Sequence, residues 1–255
     1  MERGFMSISY SSLCDDFYID MYINTRFDLP SERESLLTFF ERITRQFPSM
    51  KALTRDSGAG YCLEEDAQSG RNRWVSIDVD RVGAGFVNPE SFEQAFELPK
   101  AIIDLVPYML GVRGLDVDSV DLTFGMDFDY AGNHNEIIAE ALFSGSAFAQ
   151  IFDCAGAGPL NLSPAVIIAL DDDCTTRARL TVDSKTDESE IRGKKFDQDK
   201  PISLYLTVRQ YPHPGRDFDL KAAFDRLCRQ AVDFMDEKVV PNFVMSLTNA
   251  IAHRR

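Results

Sequence analysis

The sequence predicts an α+β fold with helices on one face of an antiparallel-rich sheet. Three observations carry this. Long segments alternate apolar and polar residues with a period of two, as half-buried strands do. Between them lie segments with apolar residues at helical spacing and recognisable caps. The element order is also nearly the same in both halves: strand-helix-strand-strand-helix, then strand-helix-strand-strand-strand-helix. That order is the one expected of two ferredoxin-like units.

From Phe17 to Phe27, Phe17, Ile19, Met21 and Ile23 alternate with Tyr18, Asp20, Tyr22 and Asn24, which makes a strand with one apolar face. Ser31 and Glu34 form an S-x-x-E capping pair, and Leu36, Phe40, Ile43 and Phe47 continue a helix that Pro48 stops. Met50 to Glu65 reads as a strand interrupted at Gly58-Ala59-Gly60. The turn Gln68-Ser69-Gly70 leads it into a second strand over Arg73–Val82, in which Asp78 and Asp80 share a face with Trp74. Asn88-Pro89 opens a helix through Val106 that Pro99 should kink or split.

Ser119–Tyr130 is the cleanest strand, with unbroken alternation of Val120, Leu122, Phe124, Met126 and Phe128. A helix over Asn135–Phe148 and a Gly/Pro-rich loop follow, then a short apolar strand over Ala165–Leu170. The turn Asp171-Asp172-Asp173 joins it to a strand over Arg177–Lys185, and the last strand is Ile202–Tyr211. The charged stretch Asp187–Lys200 reads as a loop. Asp217 caps a terminal helix that breaks at Pro241 and resumes through Ile251.

These elements suit one globular chain over 1–255, with pseudo-repeat units 17–115 and 116–240 and a C-terminal helical extension 241–255. A chain of 255 residues, 44% apolar and 27% charged, can build a substantial core without disulfide or metal staples. It carries 27 Lys and Arg against 41 Asp and Glu, a net charge of −14, which argues against non-specific nucleic-acid or anionic-membrane binding. Met1–Cys14 lacks a signal-peptide core, and no apolar run approaches the roughly 18–20 residues of a membrane span. The five scattered cysteines form no C-x-x-C pair, so free thiols and a cytoplasmic location are expected.

If the apolar sides of all strands lie beneath the helices, the polar sides share an open face. In the first half this face gathers Tyr18, Asp20, Tyr22, Arg26, Trp74, Asp78 and Asp80, joined by Asp121, Asp127 and Asp129. In the second half it collects Arg177, Arg179, Lys185, Tyr205, Arg209 and Tyr211. Residues 1–133 hold 12 basic and 23 acidic side chains, and residues 134–255 hold 15 and 18. The plain reading is a solvated strand face with cross-strand ion pairs. The sharper one is a non-enzymatic binding or assembly protein that meets a protein partner, or a second copy of itself in a twofold dimer, through Tyr22, Arg26, Trp74, Arg177, Arg179, Tyr205 and Arg209, without a cofactor.

A competing reading is an Mg²⁺- or Mn²⁺-dependent enzyme acting on a phosphorylated or nucleotide substrate, with Asp20, Asp78 and Asp80 as metal ligands. Other constellations are incomplete. The run from Asp127 to Gly132 starts like a calcium loop but has Ala131 at position five and Ile138 at position twelve. None of the three Gly-Ala-Gly triplets continues into a dinucleotide fingerprint, so strand ends or bulges explain them. His134, His213 and His253 lie in no hydrolase or zinc motif, and a Cys154–His134 pair is less expected than inert thiols.

Overall fold

A computed structural model describes residues 10–55, 60–66, 70–152, 154, 156, 158–213 and 215–254. The expected strand break at Gly58-Ala59, the turn residues Gln68 and Ser69, and most of Met1–Cys14 lie outside them.

Strands β1 (Asp16–Thr25) and β6 (Val117–Asp129) pair antiparallel near the middle of one nine-stranded sheet. Beyond β1 follow β5 (Arg81–Val87), β4 (Asn72–Ile77), β3 (Tyr61–Glu64) and β2 (Ala52–Arg55). Beyond β6 follow β9 (Pro201–Gln210), β8 (Thr176–Asp183) and β7 (Ala165–Ala169). All neighbouring pairs are antiparallel. On each side of the centre a first strand, β1 or β6, lies against the last strand of its own segment, β5 or β9, and the middle strands run outward.

The alternation expected in β1 and β6 decides which side is covered. Ile19, Met21 and Ile23 and, across the ladder, Phe124, Leu122 and Val120 are fully buried. Helix α1 (Arg33–Gln46) packs on α2 (Phe92–Met109), α2 on β5, and α6 (Leu220–Phe234) on β6, β9 and α2. The apolar alternates of β1, β4, β5, β6, β8 and β9 and the buried faces of these helices form one core. The described helices that pack on the sheet lie against the apolar alternates of its central strands, β1, β6 and β9, because each of these has a single apolar side to bury, whereas β7 (Ala165–Ala169) is apolar on both sides and exposed throughout. Among the described residues, no helix is long and apolar enough to cross a membrane, and all five cysteines are free.

Several local expectations are corrected. The strand expected over 73–82 ends at Ile77, where a tight turn closed by Asp78 N–H to Arg81 C=O (2.8 Å) sends the chain back as β5. Asp78 and Asp80 therefore sit in the turn and not on a strand face, and Val79 is exposed. Gly83-Ala84-Gly85, read as a strand end, is the middle of β5. Asn88 does not cap a helix: it has φ of 52°, its side chain accepts from Phe17 N–H, and Ser91 is the N-cap of α2. Pro99 does not split α2, because its lost hydrogen bond is outweighed by a flank that buries Phe92, Phe96, Ile102 and Val106.

The helix expected over 135–148 is α3 (His134–Ile138) running into a π turn at Ala139–Phe143, followed by the short α4 (Ala149–Phe152). The charged stretch after Asp187 contains α5 (Glu188–Gly193), nucleated by a capping box between Asp187 and Glu190. Asp219, not Asp217, caps α6. No break occurs at Pro241, since α6 continues through a π segment (Met235–Val244) into α7 (Met245–Arg254). The wider π turn moves the carbonyl that a proline ring would strike in an α-helix.

Gly125, on the open side of β6, lies directly beneath the Tyr18 ring, which a Cβ there would strike. Gly125→Ala should destabilise the protein by about 1–3 kcal/mol in urea unfolding. Gly145→Ala, where a methyl group meets nothing within 4 Å, should leave the transition midpoint unchanged.

Candidate functional site

The uncovered face of the sheet has two parts. Around β1, large side chains lie flat over glycines of the neighbouring strands. Gly83 and Gly85 sit opposite Tyr22 and Asp20 in the β1–β5 ladder. A Cβ at Gly83 would come within 2.8 Å of Tyr22 and 2.9 Å of Trp74, and one at Gly85 within 2.5 Å of the indole nitrogen of Trp74. Absence of side chains at these two positions is what lets Trp74 and Tyr22 fold down, their ring centres 5.8 Å apart. Tyr18 does the same over Gly125, edge-on to Tyr205 at 6.2 Å.

This aromatic cover leaves Asp20 half-buried. Its Oδ1 is hidden from solvent and has no hydrogen-bond partner among the described residues. Burial pushes the carboxyl up to about 7, against the Trp74 indole, whose hydrogen bond favours the charged form. The same burial lifts Asp127, and the Tyr22 phenol rises to about 12 through burial and then the nearby Asp20 charge.

Across β6, β9, β8 and β7 the face becomes a concave, basic cleft of about 330 Å³. Asp121 and Arg209, opposite each other in the β6–β9 ladder, form a bidentate pair with both N–O distances 2.5 Å. Asp121 is nearly buried, its side chain 8% exposed, so the pair anchors the cleft floor and fixes the guanidinium in place. Beside it the Thr123 and Thr207 hydroxyls are 2.8 Å apart. Arg177 lies over the Tyr211 ring at 4.7 Å and donates from Nε to the Cys174 carbonyl at 3.0 Å. Arg81, over the Tyr22 ring at 5.0 Å and held by Asp78 at 2.9 Å, closes the far side. Arg179 is exposed and, among the described residues, its side chain has no hydrogen bond or ion pair; Ile167 stands beside it on β7.

Of the residues read from sequence as the binding face, Tyr22, Arg177, Arg179 and Arg209 line this one cleft. Trp74 and Tyr205 are on the same face but outside it. Arg26 lies beyond the end of β1, its Nε 4.0 Å from Asp118. The three carboxylates read as metal ligands do not converge. Asp20 pairs with Gly85, whereas the Asp78 turn lies beyond the Asn24–Arg81 pair, about 13 Å along the strand. Among the described residues no group of three or more His, Cys, Asp or Glu is placed to hold a metal ion. His134 is buried, accepting at Nδ1 from Lys185 N–H (3.3 Å) and meeting the Tyr130 carbonyl through Nε2 (3.1 Å), while Cys154 is exposed.

Sequence reasoning missed Arg81, Asn24, Thr123, Thr207 and Ile167 as lining residues. Thr123 and Thr207 carried a usable signal, since each lies two residues from Asp121 or Arg209 on the same strand face. Arg81 carried none, because β5 was not recognised. A larger depression of about 520 Å³ beside α3 and α7 has its charges already matched, Arg254 binding Glu136 and Glu140. No protein-family model and no curated protein matches the sequence.

Asp20 binds a proton more tightly in the folded protein than in the unfolded chain, where an aspartate titrates near 4. Its contribution to stability is therefore full below about pH 4 and is lost as the pH rises to about 7, an effect of roughly 2–4 kcal/mol. Asp20→Asn should match the wild type in urea unfolding at pH 5 more closely than at pH 8, where the variant should be the more stable. Parallel curves at the two pH values would show that Asp20 ionises normally.

Proposed function

We propose that this is a non-enzymatic binding or assembly protein of the cytoplasm, built from two related units over 17–115 and 116–240, whose contact surface is the open sheet face. The observation that carries this reading is the cleft. In a chain of net charge −14, four arginines gather on one concave surface, and two of them, Arg177 and Arg179, have no carboxylate partner among the described residues. Arg209 and Arg81 are matched by Asp121 and Asp78, as cross-strand and turn ion pairs on an ordinary solvated sheet would be. Arg177 and Arg179 break that pattern. With Tyr22 and Tyr211 beside them they have the composition of an interface, and their charge selects an acidic segment of a partner or the acidic half of a second copy.

Arg209 is unsuited to testing this, because removing it would strand the buried Asp121 charge. Arg177→Glu/Arg179→Glu touches no carboxylate and should fold, its melting temperature lowered only by the loss of the exposed Arg177 contacts to Cys174 and Tyr211. The wild type should retain an acidic polypeptide such as polyglutamate, or self-associate in sedimentation velocity, in a manner weakened by salt. The double variant should lose that behaviour. Identical behaviour of the two proteins in both assays overturns the reading.

A further inference from the structure

We infer that the arginine cleft is a site for a small phosphate monoester, the phosphoryl group taken by Arg177 and Arg179 and the organic body lodged against Ile167, which pairs with Arg179 across the β7–β8 ladder. This rests on the open face being a binding surface and specifies what the deepest part of it holds.

Four features of the cleft point to that ligand class. The first is the charge count. Arg209 and Arg81 are neutralised by their own carboxylates, so two guanidinium charges remain. A phosphate monoester, with a charge of about −1.5 to −2 at neutral pH, balances them, whereas a single carboxylate leaves one unmatched. The second is preorganisation. Arg177 is held by the Tyr211 ring and the Cys174 carbonyl, and Arg209 by Asp121 and by the Tyr211 hydroxyl at 3.4 Å. Of the two arginines left for the anion, Arg177 is the fixed one and loses little freedom on meeting it, and its planar donors match the oxygens of a phosphoryl group.

The third is a set of neutral donors. The Thr123–Thr207 hydroxyl pair lines the cleft, and only one of the two hydroxyl protons can be spent between them at 2.8 Å, whereas the Asn24 amide already donates to Ser119 and Asp121. A phosphoryl group has three terminal oxygens to satisfy, and the second hydroxyl proton is available to it. The fourth is the rim. Ile167, a large aliphatic side chain next to Arg179 in the β7–β8 ladder, is 63% exposed, and the Tyr22 ring faces the same cleft from β1. A bare inorganic ion makes no use of these apolar surfaces, but an organic substituent does. The volume, about 330 Å³, falls at the small end of the range of roughly 300–1,000 Å³ for small-molecule sites, which favours a compact ligand over a long peptide.

Titration calorimetry of the full chain with phenyl phosphate, inorganic phosphate and benzoate tests this. Phenyl phosphate should bind one to one and at least about tenfold more tightly than either reference, since each offers only half of the recognition. Arg179→Ala should weaken it about 10- to 100-fold with the ligand-free melting temperature unchanged. Equal affinity for phenyl phosphate and benzoate, or no effect of Arg179→Ala, overturns the assignment. If polyglutamate is then still retained through Arg177 and Arg179, only the ligand class falls; if it is not, the reading of the face falls too. A phosphotyrosine peptide that binds far more tightly than phenyl phosphate would transfer the site to a protein segment and also overturn the small-molecule assignment.

Discussion

The constraint on which the structure depends is that a strand with one apolar side can be buried on that side alone. Ile19, Met21 and Ile23 on β1 and Val120, Leu122 and Phe124 on β6 are shielded completely by the helical layer. At about 25 cal/mol per Å² of apolar surface, nothing on the polar side competes with this term. The helices can therefore not be shared between the two faces, and a nine-stranded sheet is left with one broad surface open.

An open polar face of this size has its own packing problem, and the two halves solve it differently. Near β1 the solution is steric. Glycines at 83, 85 and 125 let Trp74, Tyr22 and Tyr18 lie down on the backbone, which leaves Asp20 half-buried beneath aromatic rings and raises its affinity for a proton. Near β9 the solution is electrostatic. Asp121 and Arg209 neutralise each other in a nearly buried, bidentate arrangement that would be costly to break from either side. What this second solution leaves over is an excess of positive charge on β8, and the cleft is built around it.

The strand faces were legible because alternation is local. A side chain two residues from Phe124 must point the same way as Phe124 whatever the rest of the chain does, so the open-face membership of Tyr22, Arg177, Arg179 and Arg209 could be read directly. The β4–β5 turn was not legible. Asp78-Val79-Asp80 continues the apolar-polar alternation of β4 without interruption, and only the pairing of β5 between β4 and β1 reveals that the chain has reversed. A split at Pro99 and a break at Pro241 do not occur for a related reason, since the local penalty of a proline says nothing about how much packing stands against it.

By itself, then, the sequence determined the class of fold, the side on which each strand is apolar and the excess of acid in the first half. Only the tertiary structure decided which polar residues are neighbours. Asp121 and Arg209 are 88 residues apart, and Tyr22, Arg81 and Arg179 come from β1, β5 and β8. Register and strand order bring them together, and these are set by hydrogen bonding between distant segments. The physical reason is that alternation assigns a residue to a face but not to a place on it, whereas a binding site is defined by place.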